Sequence, residues 1–322
     1  MSLKVVQRIS FGIIAILLMF IIAMADGLIA ATTEDTYPFA ALLRQGSLIP
    51  LIVLLMVLAA AWELRGMLRR MDCRPHSAWA FCIIFLLMVQ PWVASTGWLG
   101  NRPRTLDGEI GQLILLVAAV LGTMTLQVFR KDPGRTQRDA GSTLLMILYL
   151  GLLPAFAILL RCRVWPSPAE GAWLVLLIFL ITKCSDIGGY LVGSAIGRHK
   201  LIPAISPAKS WEGLFGGVAL SAAVAVGLVA LYRWTGAIPP FLATQDTPRH
   251  RILIGEICST FEKLGYARAA LLGAVLALVA LVGDLFESCL KREAQVKDSA
   301  SYIPTYGGIL DLLDSPCATL PA

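Results

Sequence analysis

Two short stretches near the end of this 322-residue chain set acids beside bases where the neighbouring residues are apolar. In LVGDLFESCLKREAQVKDS, Asp284, Ser288 and Lys291 fall at i, i+4 and i+7 on one helical stripe, with Glu287 at its edge. Two acids thus precede the bases Lys291 and Arg292, and Asp284 and Glu287 belong to an apolar span rather than to a solvated surface. In SYIPTYGGILDLLDS, Gly307 and Gly308 open a short apolar helix, and Asp311 and Asp314 lie three apart on one of its faces. Paired carboxylates suit Mg²⁺, which takes one or two of them and fills its shell with phosphate oxygens and waters. Alone, a DxxD pair also fits a solvated helix face. Beside Asp284 and Lys291 it describes a metal and phosphate site.

A third stretch, ITKCSDIGGYLVGSAIGRHKLIPAISPAKSWEG, breaks the apolar rule further upstream. Lys183 and Asp186 share a helix face and fit an ion pair, whether for packing or for a site. Gly188, Gly189, Gly193 and Gly197 form a small-residue surface of the kind that lets helices approach closely. Arg198, His199, Lys200, Ser206, Lys209, Ser210 and Glu212 follow, interrupted by Pro203 and Pro207. Cations, hydroxyls and turn residues at a helix edge are what phosphate binding needs, although a loop that only sets topology has the same composition.

These residues must be positioned by membrane helices. Hydrophobic residues make up 57% of the chain and charged ones 15%, with a mean hydropathy of +0.75. Soluble domains carry roughly 25% charged residues, so the composition excludes a soluble enzyme and a disordered chain. Runs long enough to cross a bilayer, about 20 residues each, occur at 9–30, 47–63, 78–97, 110–129, 143–160, 172–194, 213–232 and 269–290. A ninth, partial or re-entrant segment begins near Gly307. The predicted fold is all-α: a polytopic integral membrane protein with about eight or nine transmembrane helices in a single domain, 1–322. Residues 1–170 supply N-terminal helices, and residues 171–322 supply the catalytic helices and cytoplasmic loops.

Lys and Arg alternate between loops as orientation requires. Lys4, Arg8, Arg65, Arg69, Arg70, Arg74, Arg130, Lys131, Arg135, Arg138, Arg198, Lys200, Lys209, Lys291, Arg292 and Lys297 fall on one side. The other side holds Arg44, Arg102, Arg104, Arg161 and Arg163. Both ends are therefore predicted to be cytoplasmic, and segment 234–268 is read as a helix lying at the interface. The net charge of +6 belongs to this topology and to anionic lipid or phosphate, so no nucleic-acid partner is expected. The seven cysteines show no CxxC and no His spaced for zinc.

Taken together, the last stretch resembles the signature of the phosphatidate cytidylyltransferases, also called CDP-diacylglycerol synthases. Ser288, Leu290, Lys291, Arg292, Lys297, Asp298, Ala300, Ile303, Pro304, Gly307, Gly308, Ile309, Asp311, Leu313 and Asp314 stand in its register. The upstream block resembles the same family through Asp186, Tyr190, Gly193, Gly197, Ser206, Pro207, Lys209, Ser210, Glu212 and Gly213. Two positions depart and mark a divergent member: Tyr306 stands where the family has His, and Leu312 where it has Arg.

The resemblance implies a membrane enzyme, often a homodimer, that condenses CTP with phosphatidate to CDP-diacylglycerol and pyrophosphate with Mg²⁺ as cofactor. The resemblance and the chemistry of the groups together assign Asp284, Lys291, Arg292, Asp311 and Asp314 as catalytic, with Asp284, Asp311 and Asp314 as the metal ligands. Lys183, Asp186, Tyr190, Ser206, Lys209, Ser210, Glu212, Ser288, Lys297, Gly307 and Gly308 are assigned to substrate binding. The expected location is the bacterial inner membrane, with the site facing the cytoplasm. Two other readings stay open: a CTP-dependent polyprenol or phytol kinase, because phosphate ligands do not encode the lipid, and a secondary transporter whose buried charges bind an ion.

Overall fold

A chain in lipid must satisfy its backbone polar groups internally, and runs of Leu, Val, Ile and Ala do so as helices. The computed structural model describes residues 14, 16–27, 29, 46–95, 106–164, 168–235, 265–301 and 307–321. Among these, seven helices are long and apolar enough to cross a membrane, and Ile16–Gly27 (α1) is a shorter apolar helix. The polytopic all-α reading holds. The predicted interfacial helix at 234–268 falls mainly on residues outside those described, as do Tyr306 and parts of the first predicted span.

Two compact units are present: Leu17–Leu176 with Gly283–Pro321, and a second built on Leu177–Val282. The first unit contains α2 (Leu48–Arg70), α3 (Ser77–Ser95) and α4 (Leu106–Arg130). One more span follows, made of α5 (Thr136–Ile147) and α6 (Leu153–Leu159) joined by a π-helical turn at Leu148–Leu152. Pro154, at the start of α6, lacks an N–H and its ring crowds the preceding turn, which the wider π turn accommodates. Leu64, Leu68, Ile83, Ile84, Leu87, Met88, Met146, Ile147 and Leu150 form the core of this unit. On α4, Leu113, Ile114, Val117, Leu121, Met124 and Val128 are exposed at helical spacing, as a lipid-facing stripe requires.

The fifth span begins at Pro133, ten residues before the predicted 143. Its polar first turns are satisfied internally. The buried Asp139 carboxylate accepts from Arg130 Nη1 and from the Arg74 N–H, each at 2.8 Å, while Ser142 and Thr143 donate back to the Asp139 carbonyl. The outcome for Arg161 also differs from the expected loop. It is fully buried and pairs with the equally buried Asp26, its Nε donating to Oδ2 at 2.7 Å. Asp26 Oδ1 accepts the Leu48 N–H at 2.8 Å, so the same carboxylate also caps α2. Two buried charges tolerate each other's desolvation only because they are paired.

The second unit holds most of α7 (Pro168–Ile196), a two-stranded antiparallel hairpin of β1 (Lys200–Ile202) and β2 (Ser206–Ser210), α8 (Trp211–Thr235), and the first part of α9 (Tyr266–Glu293). Gly188 and Gly189 on α7 face Gly216 and Gly213 on α8, where an added Cβ at Gly188 would stand 2.8 Å from the Gly216 carbonyl. The predicted small-residue surface is thus a helix-packing seam. A last helix, α10 (Leu310–Thr319), lies in the first unit and is too short to span; Leu310, Leu313, Ser315 and Cys317 are buried.

Candidate active site

The end of α9 and the whole of α10 bring the acids of the first unit together. Asp284, Glu287 and Asp314 each offer a carboxylate oxygen, and these oxygens lie within 4.8 Å of one another. Glu287, placed at the edge of the stripe by sequence, is fully buried and central to the cluster. Lys291, one turn on, puts Nζ 2.7 Å from Glu287 Oε2 and 2.7 Å from Asp311 Oδ1. Gly283 lets α9 approach α10, since an added Cβ would stand 2.8 Å from Ala318 Cβ. Tyr149 packs edge-on against Phe286 with ring centroids 5.3 Å apart, and its buried hydroxyl has no hydrogen-bond partner among the described residues.

Asp311 is arranged differently from its neighbours. Its Oδ2 accepts from the Ser299 N–H at 3.0 Å, the Ser299 hydroxyl at 2.8 Å and the Gly308 N–H at 2.8 Å, while Oδ1 takes Lys291. Burial works against its charge, but the Lys291 ammonium, by hydrogen bond and by charge, and the Gly308 amide hold its carboxyl below the usual range. Asp311 therefore ties the 299 loop to the start of α10, whereas Asp284 and Asp314 face each other with Glu287.

One residue that sequence reasoning missed completes this arrangement. Glu63 of α2 is 6% exposed and accepts from the Ile309 N–H at 2.9 Å and the Leu310 N–H at 3.0 Å, and it shares the Ser299 hydroxyl, 2.7 Å away, with Asp311. It caps α10 from another helix, with its negative charge at the positive helix end. The signal that could have found it is the one used elsewhere: an acid within an apolar run, here at the last position of predicted span 47–63. The paired glycines have their reason here too. Gly307 has φ +99°, and a Cβ would lie 2.8 Å from Asp311 Oδ2; a Cβ on Gly308 would run into Glu63 and Ser299.

The remaining predicted residues of this stretch are spread more widely. Ser288 is half-buried on α9, while Arg292 and Lys297 are exposed, as is Asp298 of the signature. In the second unit, Lys183 Nζ donates to Asp186 Oδ2 at 3.1 Å, so the predicted pair forms. Ser210 accepts the Gly213 N–H at 3.1 Å and caps α8. Glu212 accepts the His199 N–H at 3.2 Å and lies 2.7 Å from His199 Nδ1. Both thus have local structural roles. Tyr190, Ser206 and Lys209 are half-buried beside them.

All-oxygen ligands at this mutual distance fit a hard divalent cation such as Mg²⁺, which would relieve the repulsion of three clustered carboxylates. A site of clustered acids beside a lysine is shared by many enzymes, but a family model described as the cytidylyltransferase family matches residues 35–322. The chain belongs to the cytidylyltransferase family. Its curated relatives include a phosphatidate cytidylyltransferase of Haemophilus influenzae, 31% identical over 71% of this chain and 73% of that protein. Another, from Pseudomonas aeruginosa, is 31% identical over 66% of this chain and 68% of its own length. A chloroplastic phosphatidate cytidylyltransferase 5 of Arabidopsis thaliana is 34% identical, matched over 62% of this chain and 47% of its own length. This cytidylyltransferase is accordingly a membrane-embedded nucleotidyltransferase of lipid biosynthesis, and the transporter reading falls away.

Proposed function

We propose that the chain transfers CMP from CTP to phosphatidate, giving CDP-diacylglycerol and pyrophosphate, at the cytoplasmic face of a bacterial inner membrane. The observation that carries this reading is the convergence of Asp284, Glu287 and Asp314 beside Lys291. The names of the curated relatives support the choice of substrate, and the Lys/Arg bias of the loops supports the orientation.

In the reaction a phosphate oxygen of phosphatidate attacks the α-phosphorus of CTP. A new P–O bond forms, the bond to the bridging oxygen of the β-phosphate breaks, and pyrophosphate departs. A phosphomonoester has its second pKa near 6, so the nucleophile is largely ionised without a strong general base. The protein's task is to hold two polyanions in line and to offset their charge. Asp284, Glu287 and Asp314 would hold Mg²⁺, which when bound supplies positive charge to the triphosphate and to the leaving pyrophosphate. The Lys291 ammonium, held by its ion pairs with Glu287 and Asp311, would bring positive charge to a phosphate oxygen. Asp311, Ser299 and Glu63 hold the start of α10 so that Asp314, one turn on, reaches the cluster.

The test uses purified protein in detergent with labelled CTP, Mg²⁺ and phosphatidate, and a polyprenol in parallel. Labelled CMP should appear on phosphatidate and be lost with Asp284→Asn or Asp314→Asn. A chain that leaves phosphatidate untouched and phosphorylates the polyprenol is a lipid kinase instead.

A further inference from the structure

The first unit carries a second concentration of charge, opposite in sign to the carboxylate cluster and sharing no residue with it. The basic ends of α2 and α4 and the start of α3 border a cavity of about 560 Å³, lined by Arg65, Arg69, His76, Trp79, Leu126 and Arg130 among others. Arg65 is held in place: its Nε donates to Ser77 Oγ at 2.9 Å and its guanidinium lies 4.7 Å from the centre of the Trp62 ring. Neither of these partners carries charge. Among the described residues no carboxylate pairs with Arg65 or Arg69, whereas Arg130 pairs with Asp139 at 2.8 Å. The His76 ring lies 3.1 Å from Gln127 Oε1, again a neutral partner.

A guanidinium fixed by a hydroxyl and an aromatic face keeps its terminal N–H groups for a fork of acceptor oxygens, the geometry of phosphate. The N-terminus of α3, at Ser77, adds the positive end of a helix to the same cavity. Apart from Ser77 and Cys82, the rest of the wall is apolar: Pro75, Ala78, Trp79 and Leu126. A soluble anion has no use for such a wall, whereas an amphiphile does. The cavity also lies at the ends of membrane-length helices, the depth at which headgroups sit.

We infer that this cavity seats the phosphate of an anionic phospholipid, with its acyl chains along Trp79 and Leu126, as a lipid site separate from the carboxylate cluster. The test measures binding of dioctanoyl-phosphatidylglycerol to the full chain in neutral detergent by tryptophan fluorescence, with dioctanoyl-phosphatidylcholine and inorganic phosphate as parallel probes. Phosphatidylglycerol should bind saturably, more tightly than either comparison, and R65Q/R69Q should weaken it by about tenfold or more. Arg69→Gln alone, at an exposed position without a side-chain partner among the described residues, should give a smaller loss of the same sign and serves if the double variant does not fold. Unchanged phosphatidylglycerol binding in the variants overturns the site. Inorganic phosphate binding as tightly as the lipid overturns the lipid as its occupant.

Discussion

Glu63 Oε1 accepts the backbone N–H of Ile309 at 2.9 Å, so a carboxylate in α2 caps a helix at a residue 246 positions later in the chain. The same side chain takes the Leu310 N–H and the Ser299 hydroxyl, and it is nearly inaccessible to solvent. The position of Asp314 therefore depends on an acid from a distant helix.

Glu63→Ala should destabilise the protein and abolish transfer together. It leaves two helix N–H groups without their acceptor, at about 1–3 kcal/mol for each unsatisfied buried group, while the Ser299 hydroxyl keeps Asp311. Glu63→Gln keeps an acceptor and should lose less. Thermal unfolding in detergent, read beside activity, checks both; a Glu63→Ala protein with the parent's melting temperature would contradict the capping role.

Gly308→Ala should be the more damaging of the two glycine changes, because its Cβ runs into Glu63 and Ser299 within the buried network. Gly307→Ala carries the strain of a positive φ, about 1 kcal/mol or more, and crowds Asp311. Both variants should express as membrane protein and show reduced turnover. A Gly308→Ala enzyme with full activity would show that the network relaxes without cost.

The three aspartates of the site should separate by phenotype. Asp284→Asn and Asp314→Asn should keep the parent's melting temperature while activity falls by about 100-fold or more and the Mg²⁺ needed for half-activity rises. Asp311→Asn places an amide among four donors and should lower the melting temperature as well. Chelation by EDTA should stop the reaction and Mg²⁺ should restore it. Mg²⁺ titrations run beside thermal scans distinguish the two classes, and Asp311→Asn behaving like Asp284→Asn would merge them.

The Asp26 and Arg161 pair tests the other trans-capped helix. Either Asp26→Leu or Arg161→Met alone strands a buried charge, which costs about 3–5 kcal/mol, while the double replacement should recover much of that. A double-mutant cycle on unfolding measures the coupling. Additive losses would mean that the two charges do not depend on each other.

Much of this site was legible in the sequence because charge is costly in an apolar span. That rule drew attention to Asp284, Glu287, Asp311, Asp314 and the Lys183–Asp186 pair without any coordinates, and it would have drawn attention to Asp26 and Glu63 had it been applied to the first two spans. Helical spacing also placed Lys291 on the stripe of Asp284 with Glu287 at its edge, and it is with Glu287 that the ion pair forms. The glycines of α7 were readable as a packing seam for the same reason, since only small residues let two backbones approach.

The sequence by itself determined the class of the molecule, its apolar helices and the set of acids and bases available for chemistry, because composition and period are local properties. Only the tertiary structure decided how that set divides. Asp311 and Asp314 are equivalent by spacing, yet one is bound by backbone and hydroxyl donors while the other faces Asp284 and Glu287. Arg161 is a loop charge by position, yet it is buried against Asp26. In each case the partner lies on another helix or in a loop, and which donors surround a carboxylate is fixed by packing that no spacing within one segment encodes.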